Sequence, residues 1–282
     1  MKSRLQTLVG VKYDPFSPDL PVEALSSPPK LESFLFRIEQ QVYEGGFAMI
    51  TGAPGMGKSV SLRILDAKLS RVRDVKVRSL THPQSGVGDF YRELGHLFAV
   101  PLSPHNRWGG FKALRESWQT FIDSTLVRPV LFIDEAQEMQ PQVLSELRLL
   151  SSKDFDSRSL LFVVLAGDKR LPDKFRSDDL LPLGSRIRTR LSLEVATPDE
   201  LAACLRHLLA TAGNASLMTP EVITALSEHS AGNYRLLMNM SADLLATAVE
   251  RDRAQIDEKL FFDVFSQPHD LKPSTPTKGR RR

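Results

Sequence analysis

Gly52-Ala53-Pro54-Gly55-Met56-Gly57-Lys58-Ser59 meets the spacing G-x-x-x-x-G-K-[ST] at every position. The stretch lies between Phe47-Ala48-Met49-Ile50, which reads as a short buried strand, and Val60 to Leu69, which reads as a helix with Leu62, Leu65 and Leu69 on one face. Strand, glycine-rich turn and helix in that order make a phosphate-binding loop. Glycines at 52, 55 and 57 let the backbone enter left-handed conformations, so that amide N–H groups from Gly52 through Val60 converge on phosphate oxygens at a helix N-terminus. Lys58 then reaches the β- and γ-phosphates, and the Ser59 hydroxyl is a ligand for Mg²⁺. A glycine-rich turn with an accidental Lys-Ser after it would need neither neighbour, and both are present.

Working outward, strands alternate with helices. Leu31, Phe34, Leu35, Ile38 and Val42 recur at helical spacing and Gly45-Gly46 ends that helix. After the loop, Val75 to Leu80 reads as a strand and Val87 to Phe98 as an amphipathic helix, with a further helix over Phe111 to Leu126. Pro129-Val130-Leu131-Phe132-Ile133 is continuously apolar, as a strand buried on both faces must be. A helix over Pro141 to Leu150 and a second buried strand, Leu160 to Leu165, follow. This rhythm specifies an α/β fold of the P-loop NTPase type, a parallel sheet flanked by helices. From Thr197 the pattern is helical only. Thr197-Pro198-Asp199-Glu200 is a capping box, Thr219-Pro220-Glu221 opens a helix in the same manner, and helices near 198–211, 220–229, 233–251 and 257–265 make a small all-α unit. The expected organisation is an extended, proline-rich segment over 1–30, a nucleotide-binding α/β domain over 31–195, a helical lid domain over 196–265 and a flexible basic tail over 266–282.

The second half of the site is Asp134-Glu135, at the end of the apolar strand. The Asp134 carboxylate faces Mg²⁺ opposite Ser59, and Glu135 orients and deprotonates the attacking water. ATP hydrolysis is the implied chemistry. Ala166-Gly167-Asp168 closes the next strand; Asp168 is either a residue that positions the water or γ-phosphate, or a turn former. Arg186, Arg188 and Arg190 are either a cationic strand edge or the source of one guanidinium, with Arg186 preferred, set against a neighbouring subunit's γ-phosphate. Arg235, in Gly232-Asn233-Tyr234-Arg235, either folds back onto the phosphates or is a solvated helix-start arginine.

Composition narrows the rest. The chain has 282 residues, 41% hydrophobic, enough for a substantial interior. A single cysteine, Cys204, excludes an internal disulfide and reads as core packing beside Leu201, Leu205 and Leu208. His82, His96, His105, His207, His229 and His269 have no metal-ligand spacing, and Trp108 and Trp118 read as core or interface anchors. No apolar run approaches a membrane span, which makes a cytoplasmic protein the expectation. Net charge is +3, but the tail carries Lys272, Lys278, Arg280, Arg281 and Arg282 against Asp270, either an arm for DNA phosphates or a solubilising end.

Together these motifs resemble the AAA+ ATPases. Asp134-Glu135-Ala136-Gln137, the run Leu144 to Ser151 and Val164-Leu165-Ala166-Gly167 are similar, more narrowly, to the ExeA-type group, which includes the secretion ATPase ExeA and the transposition helpers TnsC, TniB and, more distantly, MuB. The resemblance implies Lys58 and Ser59 on nucleotide and magnesium, Glu135 as water activator, Asp168 as first sensor, Arg186 as finger and Arg235 as second sensor. Asp168 departs from the Asn, Thr or Gln more usual at the first sensor. The resemblance further implies a homo-oligomer, ring or filament, that assembles on double-stranded DNA without sequence specificity and hands a target to a transposase and other transposition proteins. The alternatives are an ExeA-like secretion ATPase, whose usual membrane span and peptidoglycan-binding region are not found after the lid, and another DNA-associated regulatory ATPase.

Overall fold

Continuous apolar runs decide where the sheet forms. In the computed structural model, which describes residues 7–102 and 106–265, five strands make one sheet: β1 (Gly46–Gly52), β2 (Val75–Leu80), β3 (Arg128–Ile133), β6 (Phe162–Gly167) and β7 (Ile187–Leu193). Their spatial order is β2-β3-β6-β1-β7 and every pairing is parallel. Two further strands, β4 (Ser152–Lys153) and β5 (Arg158–Ser159), form a separate antiparallel hairpin.

The three central strands are buried on both faces, and alternate residues serve two different cores. Ala48, Ile50, Val130, Phe132, Val164 and Ala166 pack with the helices Pro29–Gln41 and Lys58–Leu69 on one face. Phe47, Met49, Leu131, Ile133, Val163 and Leu165 pack with Val87–Phe98, Arg107–Thr125 and Pro141–Ser151 on the other. This double burial is why the central strands are apolar through residues 47–50, 129–133 and 162–166, with Arg128 at the entrance to β3. The edge strand β7 alternates instead, with Ile187, Thr189 and Leu191 buried and Arg188, Arg190 and Ser192 exposed.

The chain divides into two compact units. One contains residues 19–197 and 231–236; the other contains, among the described residues, 7–18, 198–230 and 237–265. The second unit is helical, with Pro198–Ala212, Pro220–His229 and Glu258–Phe265 burying Leu201, Leu205, Leu226, Leu260 and Phe261, and a parallel bridge pairing Met218 with Ile256. Thr219 caps its helix by accepting from the Val222 N–H. Residues 7–18 belong to this unit: Lys12 donates its backbone N–H to Ala212 O at 2.8 Å, and Asn214 Nδ2 donates to Val9 O at 2.7 Å. No helix among the described residues is long and apolar enough to cross a membrane.

Several expectations need adjustment. The proline-rich first thirty residues are not uniformly extended: residues 7–9 are helical, Val22–Ala24 form a 3-10 turn, and proline at the first position starts the helix at 29. The second apolar strand begins at Phe162, two residues late, because Leu160 and Leu161 lead out of the hairpin while still buried. Trp118 is in the core, edge-on to Phe98 at 5.2 Å between ring centres, but Trp108 is 74% exposed and stacks on Phe111. Cys204 is half-buried, and burial pushes its thiol up to about 11. The basic tail, His105 and His269 lie outside the described residues.

Truncating Trp118 removes the largest fully buried side chain from the core beneath β3. Trp118→Ala is expected to lower unfolding free energy by about 3–5 kcal/mol in urea titrations; a loss under about 1 kcal/mol would contradict this placement.

Candidate active site

Because the central strands are parallel and their buried runs apolar, the polar residues that follow β1, β3 and β6 gather along one edge of the sheet. β6 lies between the other two, with Thr51 in register with Gly167 and Ile133 in register with Leu165. Residues 52–59, 134–137 and 167–168 are therefore neighbours in space.

The loop that leaves β1 turns on two glycines with positive φ, Gly55 at +83° and Gly57 at +92°, and Gly57 is the N-cap residue of the helix Lys58–Leu69. Side chains with a Cβ rarely adopt those angles. Nothing stands within 4 Å of where a Gly57 Cβ would be, so this glycine serves backbone angle and approach by a ligand, not packing. The helix begins with its first N–H groups facing the cradle, where an anion is favoured. Lys58 is buried and donates its ammonium to the carbonyls of Gly52 at 3.0 Å and Ala53 at 3.3 Å, folded over the loop where phosphate oxygens would take those hydrogen bonds.

Across the cradle, the Ser59 hydroxyl donates to Asp134 Oδ2 at 2.8 Å, although 75 residues separate them in sequence. The other Asp134 oxygen accepts the Glu135 N–H at 2.9 Å. A hydroxyl and a carboxylate in contact are the oxygen donors that Mg²⁺ takes beside phosphates, so the residues fit such an ion. Glu135 is exposed and has φ +51°, and from it the chain turns into the short 3-10 segment Ala136–Glu138.

Asp168 is engaged inside the chain. Both of its carboxylate oxygens accept from the Arg170 guanidinium, at 3.2 and 2.9 Å, and Arg170 also donates to Glu138 at 2.7 Å. The Arg170 hydrogen bond, with smaller help from the Lys58 charge, holds Asp168 below the usual carboxylate range.

The arginine cluster is divided. Arg186 donates to Pro182 O and to the Asp156 carboxylate at the tip of the β4–β5 hairpin; a Ser152 hydrogen bond and this ion pair hold Asp156 below the usual carboxylate range. Arg188 is paired with Glu44 at 2.5 Å, and Arg190 donates to Gly184 O at 2.9 Å. Arg186 directly precedes Ile187, which pairs with Phe47 at the start of β1, while the phosphate loop leaves the end of that strand. Five residue steps of strand separate the two levels, roughly 17 Å at about 3.3 Å per residue. Arg186 is thus at the end of the sheet away from its own cradle.

Residues 231–236 belong to the unit that holds the cradle. The Arg235 N–H donates to Gly55 O at 3.3 Å, and the side chain itself is exposed. The stronger link is Asn233, which sequence reading passed over. Its Nδ2 donates to Pro54 O at 3.1 Å, while Oδ1 accepts the N–H groups of Arg235 and Leu236 at 2.9 and 3.2 Å. Asparagine before a helix signals a cap, but the link to Pro54 had no local signature. Gln137 was also passed over as a functional residue; it is buried, with its amide between Glu135 and Asp168.

A Cβ on Gly55 would run into the Asn233 side chain as well as adopting a strained φ. Gly55→Ala is expected to weaken ATP binding about tenfold or more, from about 1–3 kcal/mol of local strain, in a fluorescent-nucleotide titration. Unchanged affinity would show that the loop does not need this backbone.

Residues 40–175 match the family described as AAA domain. The chain is similar to General secretion pathway protein A of Aeromonas hydrophila, 29% identical over 216 residues that cover 75% of this chain and 39% of that protein's length. Among solved structures it is similar to Cdc6p of Pyrobaculum aerophilum, at TM-score 0.70 and 16% identity, over 86% of this chain and 67% of that one. It is similar also to the ORC1 protein of Aeropyrum pernix in complex with DNA, at TM-score 0.64 and 15% identity, over 89% of this chain and 68% of that one. At such identities the two structures speak for the fold alone. The AAA-domain match over residues 40–175 contains the phosphate loop, the acid pair and Asp168.

Proposed function

We propose that this chain uses ATP binding and hydrolysis to assemble on double-stranded DNA and to regulate transposition, as a helper ATPase of the TnsC and TniB kind. The observation that carries the enzymatic part is the contact of Ser59 with Asp134 across the phosphate loop. In this reading Lys58 leaves the carbonyls of Gly52 and Ala53 for the phosphate oxygens, offsetting charge that develops during transfer. Glu135 accepts a proton from the attacking water as the γ-phosphoryl is released. Mg²⁺, held by Ser59 and Asp134, would neutralise charge on the phosphates.

An arginine from a neighbouring copy completes the site. The distance along β1 between Arg186 and its own loop supports a role in trans, because a guanidinium there cannot serve the cradle of the same chain. Arg235 is then the second sensor and Asp168 the first. Homo-oligomers, ring or filament, follow from a site shared between copies. The DNA part is supported by the similarity to a DNA-bound ORC1 protein and by the basic run of Lys272, Lys278, Arg280, Arg281 and Arg282. Phosphate contacts of this kind are not sequence specific and weaken steeply with salt. The domain arrangement that goes with this reading is an N-terminal segment over 1–30, the α/β domain over 31–195, the lid over 196–265 and a basic tail over 266–282.

A second reading, a secretion-associated ATPase, is favoured by the 29% identity to General secretion pathway protein A. Electrophoretic mobility shifts on duplex DNA separate the two. The transposition reading expects a ladder of slow species with ATP, reduced with ADP and lost at high salt; negligible binding in all nucleotide states would refute it. Glu135→Gln should keep ATP affinity and lower turnover by about 10²–10⁴-fold, measured as phosphate release. Turnover near the parent rate would remove Glu135 from its role.

A further inference from the structure

The reaction as derived leaves one buried polar side chain at the site unused. Gln137 is 7% exposed and sits two residues past Glu135, and its two amide ends have different partners. Its Nε2 donates to Glu135 Oε2 at 2.5 Å, and its Oε1 accepts the backbone N–H of Asp168 at 3.1 Å. A carboxylate only accepts and a peptide N–H only donates, so a single orientation of the amide satisfies both.

We propose that Gln137 is the positioning residue of this site: it holds one oxygen of the Glu135 carboxylate and fixes that oxygen to the end of β6. The inference rests on Glu135 being the group that activates water. With Oε2 engaged, Oε1 is the oxygen left to face a water and take its proton. Burial of the amide matters here, since losing either hydrogen bond leaves it with an unpaired polar group.

The surroundings are built around the amide. A Cβ on Gly167 would lie 2.5 Å from Gln137 Oε1 and 2.9 Å from Leu171 Cδ2, so glycine at 167 leaves the space that the amide fills. The Lys174 ammonium donates to the carbonyls of Gln137, at 2.8 Å, and Met139, which fixes the backbone of the turn from below. Gly167 is paired in register with Thr51, the residue before the phosphate loop. A continuous path therefore runs from the strand that enters the loop, through Gly167 and Asp168, to the amide and then to Glu135. The amide thus ties the carboxylate to the end of β6. The charged groups around the amide are Asp134, Glu138, Asp168, Arg170, Lys174 and, from the phosphate loop, Lys58.

Gln137→Ala, Gln137→Met, Gln137→Glu and Glu135→Gln in the full chain test the idea, with ATP affinity, melting temperature and kcat measured for each. Removing the amide should lower kcat by about tenfold to a hundredfold, within the contribution of a general base, while ATP affinity stays within about twofold of the parent. Gln137→Glu sets a second carboxylate against Glu135 in place of a donor, so kcat should fall at least as far as in Gln137→Ala. A merely structural residue would instead lower melting temperature and ATP affinity together with kcat; that result overturns the proposal. So does parental kcat in the Gln137 variants when Glu135→Gln is inactive. If Gln137→Glu fails to fold, a loss of kcat in Gln137→Met at parental melting temperature supports the proposal and parental kcat there overturns it. An active Glu135→Gln would instead overturn the reading of Glu135 on which it stands.

Discussion

A parallel sheet buried on both faces can carry polar chemistry only where its strands stop, and this constraint organises the whole site. Along the buried runs of β1, β3 and β6 each side chain serves one apolar core or the other, so the polar groups of the site come after those runs, at the carboxyl ends. Parallel pairing puts those ends on a single edge. The Ser59 hydroxyl and Asp134 carboxylate then meet at 2.8 Å with no further device needed to bring them together. The glycines at 55 and 57 perform the complementary task, turning backbone donors toward the same edge.

The energetics of the cradle follow from what occupies it. Lys58 spends its ammonium on two carbonyls of its own loop, hydrogen bonds that phosphate oxygens would replace with charge-assisted ones. Asp168, by contrast, is neutralised by Arg170, and Arg186 is held by Asp156 on the hairpin. These ion pairs are partly exposed and worth little to stability. They matter as restraints on where the charges point, and any sensing or trans role for Asp168 or Arg186 begins with rearranging them.

Much of this was legible from residue order alone. The loop 52–59, the acid pair after Leu131-Phe132-Ile133 and the alternation of strands with helices named the α/β P-loop fold, because burial on both faces writes itself into sequence as unbroken apolar runs. The edge strand Ile187–Leu193 was less legible: its arginines alternate with Ile187, Thr189 and Leu191, so the same residues read as a charge cluster until the sheet fixes their register. The hairpin at 152–159 has two-residue strands, too short for any periodicity. Trp108 was read with Trp118 by residue type, and only tertiary packing separates an exposed ring from a buried one. Asn233 and Gln137 escaped for a different cause. Each works by spanning two segments distant in sequence, and a hydrogen bond to Pro54 or Asp168 leaves no trace in the residues beside it.

The central claim is that one triphosphate lies between the loop and the acid pair. A crystal structure of the full chain with Mg²⁺ and a non-hydrolysable ATP analogue tests it most directly. The account predicts Lys58 Nζ moved from the carbonyls of Gly52 and Ala53 onto the phosphates, with the metal beside Ser59 and Asp134. Phosphates bound elsewhere, or a Lys58 still closed over an empty loop at saturating analogue, would contradict it.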